Sequence, residues 1–359
     1  MKNSHYILLF LSISILSCQN DSSEVPPSSG EPIRVSASIN MPTLTRSAYN
    51  LGVPTFDKPF DAMVWASTTS CNFPFDHDSP DNGSNGIVGC HSTVNFQNGT
   101  YQLTRDDLYY PSDNSNVYFI GLYPNSGWVD DHDGGSNVST SFTYTGKEDV
   151  MYAPQVTGHK NASGSPTHPS LHFFHLLTWL RVEVYVENDD VANTWGDLQS
   201  MTLHGMNTTL EIDVSSVPDV SSADFATRQG NIASKVSFSS PSSLHLWTTD
   251  DDTEFTGQSY RLTSSPTEVA YVLCQPVNAT AGTDGNRTNE YVLQLSTANR
   301  TGITVNVDLK TAEGTWFEGS TMGRQFIITL RFTESGYVSA SASVTDWITG
   351  GYIQTDVTE

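Results

Sequence analysis

Apolar and polar residues alternate along much of the chain with a period of two. The clearest stretches are residues 33–39, 180–187, 303–309 and 338–344. Successive side chains of a β-strand point to opposite faces, so this alternation predicts strands with one buried and one exposed face. Shorter apolar runs predict further strands at residues 63–66, 117–123, 201–204, 210–214, 236–238, 244–248, 291–295 and 326–332.

Turn-forming residues separate these runs. Clusters of Gly, Pro, Asn and Asp lie between them, and no amphipathic pattern predicts a helix longer than a couple of turns. Many short strands without long helices between them are typical of antiparallel β-sandwiches. The sequence therefore predicts an all-β protein.

Chain length and aromatic positions predict two domains. A chain of 359 residues is too long for one typical sandwich. A polar turn at residues 188–196 offers a boundary, so we predict an N-terminal domain at residues 33–192 and a C-terminal domain at residues 193–359. The aromatic side chains expected in the two cores are Trp65, Tyr118, Phe119, Tyr123, Phe173, Phe174 and Trp179, then Trp247, Tyr271, Tyr291, Trp316, Phe326 and Trp347.

The first residues have the pattern of an export signal. Met1 and Lys2 precede an apolar run at residues 6–16, and Ser17 and Cys18 follow it. This run is shorter than the roughly 20 residues that a membrane-spanning helix needs, so we expect residues 1–17 to be removed.

A lipid anchor is predicted at the end of that signal. Ile15-Leu16-Ser17-Cys18 resembles a lipobox, so Cys18 is predicted to carry acyl chains such as palmitate, which would hold the protein on a membrane. The alternative is an ordinary signal peptide with a chance cysteine. Residues 18–32 are polar and rich in Pro and Ser, as in a flexible linker. Asp21 and Glu24 resemble the acidic signal that sends many Bacteroidota lipoproteins to the cell surface.

The charge of the chain argues against some partners. Its formal net charge is -23, which repels nucleic acid and acidic membrane surfaces. Only 15% of the residues are charged, while Ser, Thr, Asn and Gly are abundant. Such a composition suits strands with hydroxyl-rich exposed faces better than helices.

Three cysteines remain after Cys18. Cys71 and Cys90 bracket a loop rich in Pro, Asp, Asn and Gly. In an oxidising compartment they could form a disulfide that contributes about 3 kcal/mol, or they could stay free. Cys274 ends the apolar run 269–274 and is expected to pack in a buried strand.

Enzyme and cofactor signatures are absent from the sequence. It contains no Gly-x-Ser-x-Gly, no His-Glu-x-x-His, no phosphate-binding Gly-x-x-x-x-Gly-Lys and no dinucleotide fingerprint. We therefore expect no catalytic residue and no cofactor.

Two kinds of residue cluster could in principle bind a metal. His172 and His175 are three apart in a predicted strand and would point to opposite faces, so these two and His168 are interpreted as structural. The acidic groups are Asp76, Asp78 and Asp81, then Asp130, Asp131 and Asp133, and finally Asp250, Asp251 and Asp252. The first two groups could bind calcium, but neither has EF-hand spacing, and solvated turn aspartates are the favoured interpretation of all three.

A series of short motifs follows the linker. They are Thr45-Arg46-Ser47 after the strand 33–39, Tyr109-Tyr110-Pro111, the run 117–124 ending in Tyr123-Pro124, Asp149-Val150-Met151-Tyr152-Ala153, the segment 171–180 with Phe173, His175 and Leu180, Gly323-Arg324-Gln325-Phe326, and Trp347-Ile348-Thr349-Gly350. In this order they resemble the fimbrillin family, the type V pilin subunits and related surface lipoproteins of Bacteroidota. The resemblance spans nearly the whole mature chain.

This resemblance implies a fold and a mode of assembly. It implies two transthyretin-like β-sandwich domains in tandem, in a subunit that joins other fimbrial subunits by donor-strand exchange. In the family's stalk subunits an arginine-directed protease removes the first strand, and Arg46 is this chain's candidate for that cut. An uncut anchor on the cell outer membrane is the alternative.

Two other functions compete with a fimbrial subunit. One is a glycan-binding surface lipoprotein of a nutrient-uptake system, in which exposed aromatic rings stack on sugars. Surface glycans or proteins of a host or of other bacteria would then be its partners. The other is a secreted hydrolase, which requires a cleft with paired carboxylates. The acidic residues lie mainly in predicted turns, which disfavours the hydrolase.

Overall fold

Many short strands and two short helices build the part of the protein that the structure describes. The computed structural model describes residues 32–39, 60–73, 90–96, 100–102, 108–130, 138–161, 166–281, 287–288, 290–311 and 314–346. The elements up to residue 195 are β1 (Arg34–Ile39), β2 (Phe60–Ser67), β3 (Cys90–Phe96), β4 (Thr100–Gln102), β5 (Val117–Tyr123), β6 (Trp128–Asp130), β7 (Ser139–Thr143), β8 (Met151–Lys160), β9 (Pro166–Thr167), β10 (Ser170–His175), β11 (Thr178–Val186) and α1 (Asp189–Trp195).

The second half continues the same pattern of short strands. Its elements are β12 (Leu198–Asp213), α2 (Phe225–Ala233), β13 (Val236–His245), β14 (Trp247–Thr248), β15 (Thr267–Cys274), β16 (Asn278–Ala281), β17 (Arg287–Thr288), β18 (Tyr291–Thr297), β19 (Ile303–Val307), β20 (Leu309–Thr311), β21 (Gly319–Ser320), β22 (Arg324–Phe332) and β23 (Val338–Asp346).

One sheet, which we call the first body, contains only strands that precede residue 176. Its order is β3, β2, β5, β8, β10, β1 and β4, and β9 pairs with β8. β2 shows that this sheet is apolar on both faces. Ala62, Val64 and Ala66 belong to one core cluster, whereas Met63 and Trp65 belong to the other.

Two six-stranded sheets, which we call the second body, pack around the larger core cluster. One has the order β14, β15, β11, β22, β23 and β20, and the other joins β19, β18, β12, β7 and β6, with β13 paired to β12. β12 is long enough to pair with β18 near its start and with β7 near its end. The strands β17, β16 and β21 form a separate small sheet.

Strand pairing crosses the predicted boundary between residues 192 and 193. β11 precedes that boundary but pairs with β15, from Thr178 opposite Cys274 to Val184 opposite Thr267. It also pairs with β22, and β7 pairs with β12. Three strands from before the boundary, β6, β7 and β11, thus belong to sheets made otherwise of later strands. A cut at one position does not separate the sheets, because the chain visits the second body twice before residue 193.

Most described strand pairs are antiparallel, as predicted, but three are parallel. These are β1 with β10, β11 with β22, and β20 with β23. The alternation of side chains sets which face of a strand is buried and leaves open which strand lies beside it. The expectation of purely antiparallel sheets was therefore wrong at these three places.

Both helices are short and have side-chain caps. Asn188 accepts a hydrogen bond from the Val191 amide at the start of α1, and Asp224 accepts one from the Thr227 amide at the start of α2. Such caps satisfy amides that a helix leaves open in its first turn. Within the described ranges, no helix combines the length and the apolarity needed to cross a membrane.

The all-β prediction is confirmed, and many predicted strands are found with small changes. β5 has the bounds of the run 117–123, whereas the runs 201–204 and 210–214 lie in the single strand β12, which ends one residue before the second run does. Cys274 is fully buried in β15, as expected. The prediction for Trp316 was wrong, since 38% of this residue is exposed and Lys310 Nζ lies 4.6 Å from its ring centre. Trp347 lies outside the described residues.

Candidate functional site

The first candidate site is the place that β1 occupies in the first body, which we call the β1 seat. β1 lies between β10, to which it is parallel, and β4, to which it is antiparallel. Ile33 and Val35 are fully buried there, and Ile39 is nearly so. The side chains that form the seat's apolar lining include Leu108, Tyr110, Leu171 and Phe173. β1 therefore fills a groove with both its backbone and its apolar side chains.

Hydrogen bonds hold β1 at its amino-terminal end. The Ile33 amide donates to the Leu108 carbonyl at 3.0 Å, and the Ser36 amide donates to the Pro169 carbonyl at 3.0 Å. Removing β1 would leave these carbonyls without their donors, at a cost of about 1–3 kcal/mol for each group left buried. An emptied seat would therefore favour another strand of similar pattern.

The floor of the seat depends on a glycine. Gly121 of β5 faces Phe173 so closely that a Cβ atom at this position would overlap the phenyl ring, and Ala153 Cβ would be 3.1 Å away. Phe60 meets the same Phe173 ring edge-on, with 5.4 Å between the ring centres. The glycine thus makes room for the ring that supports β1.

A side-chain contact also links β1 to β10. Ser38 Oγ and His172 Nδ1 are hydrogen-bonded, and these residues are opposite each other in the parallel pair. Partial burial of the imidazole lowers the pKa of His172 below its ordinary value, and the nearby positive charge of Arg228 acts in the same direction. The neutral ring is therefore favoured beside β1.

A buried carboxyl–imidazole pair lies where the first body meets the second. Asp149 Oδ2 lies 2.9 Å from His175 Nδ1, and the side chains are 0% and 2% exposed. Asp149 precedes β8 and His175 ends β10. The two belong to separate sequence motifs, and the structure brings those motifs together. Sequence reasoning missed this pair, although a charged residue inside an apolar motif was a signal for it.

Contacts around this pair bridge the two bodies. Gln229 of α2 donates from Nε2 to the His175 carbonyl at 2.7 Å. The Gly323 amide donates to the Leu177 carbonyl at 3.0 Å. Gly323 has a φ of +65°, and a Cβ here would lie 2.7 Å from Gln229 Nε2. The passage from β10 to β11 is thus fixed from both sides.

A hydroxyl network lies in the core just beyond that passage. Thr178 Oγ1 and Tyr291 Oη each lie 2.8 Å from Thr321 Oγ1, which also accepts from the Val277 amide at 2.8 Å. Burial raises the pKa of the neighbouring Cys274 thiol. These groups satisfy one another, so they stabilise the core and leave little free for chemistry.

Cys71 lies in the turn after β2. Its amide donates to Gln155 Oε1 at 2.7 Å, and its φ of +56° is unusual for a residue other than Gly. The Cys71 thiol is free and partly exposed. The backbone of Cys90 pairs with Ala66 at the end of β2, but its side chain lies outside the described part of the chain. The Cys71–Cys90 disulfide stays a prediction.

The histidines and acidic turns do not form a metal site in the described residues. His172 is exposed and His175 is buried, so they face opposite sides as expected. No group of three or more potential ligands comes together within the described ranges. Asp252 pairs with Lys147 at 2.8 Å, and Asp251 accepts from Thr253 Oγ1 at 2.8 Å.

Several predicted positions cannot be placed. Cys18, Arg46, and the acidic residues Asp76, Asp78, Asp81, Asp131 and Asp133 lie outside the described residues, and of Asp130 only the backbone is described. The predicted lipid attachment and processing sites therefore stay predictions.

Comparison with known proteins gives the chain a family. Residues 75–347 match the family model described as fimbrillin-like. No curated protein matches the chain.

Solved structures resemble it at low identity. A candidate cell adhesion protein from Bacteroides ovatus is 13% identical, with 89% of this chain and 98% of that chain covered and a TM-score of 0.49. A fimbrial protein from Bacteroides vulgatus is also 13% identical, with 88% and 99% covered and a TM-score of 0.40. The fimbrial anchor protein Mfa2 from Porphyromonas gingivalis is 9% identical, with 90% and 100% covered and a TM-score of 0.36.

The family match includes well over half of the chain and agrees with the resemblance seen in the sequence motifs. This chain belongs to the fimbrillin-like family.

Proposed function

We propose that this chain is a fimbrial subunit, either anchor or stalk, that assembles with other fimbrial subunits by donor-strand exchange. Membership of the fimbrillin-like family supports a fimbrial or adhesive surface protein. The observation that carries the finer proposal is β1, a short strand whose apolar side chains fill the β1 seat. A strand of the same pattern from another subunit could fill that seat in its place.

β1 should be easier to remove than a strand in the middle of the sheet, because it is short and lies near the sheet edge. β1 is six residues long and lies next to the edge strand β4. The residues that follow it lead to Arg46, the candidate for proteolytic cutting. A cut there would leave β1 attached to the first body only by its backbone hydrogen bonds to neighbouring strands and by its side-chain contacts.

The proposal also includes the attachment and the fold type. In the uncut anchor form, we place the mature protein on the cell outer membrane through acyl chains on Cys18, with residues 18–32 as the spacer. The two bodies are proposed to be variants of transthyretin-like sandwiches that exchange strands across the predicted boundary. No catalytic role is proposed.

The decisive experiment removes β1 and asks what fills the seat. The soluble chain with Cys18→Ala is cut with an arginine-specific protease and followed by size-exclusion chromatography, with Arg46→Ala as the uncut control. Cut protein should assemble, or capture a fluorescent peptide of residues 33–39. A peptide with Val35→Ser should bind much more weakly, because it buries a hydroxyl in an apolar groove. Cut protein that stays monomeric, folded and unable to bind the peptide contradicts donor-strand exchange.

Two further measurements separate the remaining roles. Electron microscopy of expressing cells with and without the gene tests for fimbriae, and fractionation of cells that carry Cys18→Ala tests the lipid anchor. Saturable binding of the soluble protein to a glycan array without any assembly would instead support the glycan-binding role.

A further inference from the structure

β1 and β10 run in the same direction, and the chain leaves this pair at opposite ends. The amino-terminal part of the chain enters β1 at Pro32, next to Tyr109. β10 leads out at its other end, from His175 through two residues into β11 of the second body. A force between the amino terminus and the second body therefore acts on the two opposite ends of the β1–β10 pair.

We propose that β1 is a mechanical clamp, which resists tension between the amino-terminal end of the chain and the second body. Such tension loads the ladder in shear. All the pairs from Ser36 opposite Ser170 to Ile39 opposite Phe173 would be strained together. The antiparallel pairs with β4, from Arg34 opposite Gln102 to Ser36 opposite Thr100, would share the load. Strands that are peeled apart break one pair at a time and resist much less.

The side chains of β1 add to this resistance. Sliding by one residue would turn Ser36 and Ser38 into the apolar seat, because successive side chains face opposite sides. Sliding by two residues would require the whole ladder to break, and Val35 and Ile39 would have to leave their buried places. The strand therefore has no low-energy intermediate position on its way out.

The biological direction of the force rests on the proposed tether at Cys18, but the mechanical property does not. In the uncut anchor form, an attachment through the amino terminus would place β1 between the membrane and the rest of the subunit. Flow, or a surface bound to the second body, would then pull on that body and load the β1–β10 pair in shear. Failure of the tether would leave the mechanical measurement unchanged, so the two ideas can be tested apart.

The test compares two pulling directions on the same strand by single-molecule force spectroscopy of the mature chain with Cys18→Ala. Both arrangements have one clickable handle at exposed Arg34. The second handle is at Tyr337, in the turn after β22, to apply shear, or at His168, beside the same end of β1, to peel. Tyr337 is 75% exposed, and His168 is also exposed, so neither handle should disturb the fold.

The shear arrangement should give a severalfold higher first rupture force than the peeling arrangement at the same loading rate. Val35→Ala should lower the shear force, whereas Val217→Ala, at a valine that is 47% exposed, should leave it unchanged. If the second body unfolds first at a force above the peeling force, β1 has held and the proposal is supported. A first rupture in shear at or below the peeling force overturns it.

Discussion

Asp149 and His175 form a hydrogen-bonded pair that water does not reach, at the point where the chain passes from the first body to the second. Their side chains are 0% and 2% exposed, and 2.9 Å separates Asp149 Oδ2 from His175 Nδ1. Because the Asp149 carboxyl group is the partner of His175 Nδ1, losing either side chain leaves a polar group buried among apolar neighbours. Losing one partner should therefore destabilise the junction by more than the intact pair stabilises it.

Asp149→Ala should destabilise the protein by about 3–5 kcal/mol, because it leaves the imidazole buried without its carboxylate. The free energy of unfolding from urea titration measures this. Asp250→Ala, at an exposed turn, should change stability by less than about 0.5 kcal/mol. Asp149→Leu combined with His175→Leu should recover part of the loss, since no unpaired polar group then remains. A cost below about 1 kcal/mol for Asp149→Ala would contradict this account.

Gly121→Ala should destabilise the first body by about 1–3 kcal/mol, because the added methyl group overlaps the Phe173 ring. Thermal and urea unfolding measure the loss. Phe173→Leu in the same chain should relieve part of it by shortening the side chain that the methyl group meets.

Gly230 provides the matched control for this substitution. It lies in α2 with open space around its Cα, so Gly230→Ala should stabilise the protein by about 0.5–1 kcal/mol through helix propensity. Equal effects of the two substitutions would show that Gly121 does not support Phe173.

His172 should make stability depend on pH. Burial, and then the charge of Arg228, lower its pKa in the folded protein. The folded state thus binds this proton less readily than the unfolded state, and stability falls as the pH drops below about 6.5. His172→Asn should lose less stability than the unchanged protein between about pH 7.5 and 5.5. Urea midpoints at both pH values test this, with exposed His168→Asn as the control, and an unchanged pH dependence would refute it.

The predicted disulfide can be tested by the reactivity of the thiols. If Cys71 and Cys90 pair after export, alkylation of the unfolded protein without reductant should modify Cys274 alone. In the folded protein Cys274 should resist alkylation too, since burial raises the pKa of its thiol. Cys71→Ser should then cost about 3 kcal/mol. Alkylation of Cys71 without reductant would contradict the pairing.

Local patterns of the sequence predicted the strands well. β11 and β23 coincide with the alternating runs at 180–187 and 338–344 within a few residues. This works because alternation reports directly on which side of a strand is buried. Trp316 shows the limit, since an aromatic residue near a strand can lie at the surface beneath Lys310.

Partners and functional contacts were harder to predict. The short strands β6 and β7 carry too few residues for a periodic signal, so their place beside β12 was not foreseen. The parallel pairing of β1 with β10 and the contact between Asp149 and His175 join distant parts of the chain. Such contacts depend on the whole topology, which one sequence pattern does not encode.

The pairing of β11 with β22 also affects the order in which the chain can fold. Trp179 is opposite Gln325, so β11 stays incomplete until nearly the whole chain has been delivered. Until then, the backbone groups of β11 along the edge that pairs with β22 stay unpaired. A product that stops before β22 would keep this edge open, and an open strand edge can pair with other chains. The fold thus leaves a truncated chain with an aggregation-prone edge that the full-length chain covers with its own strand.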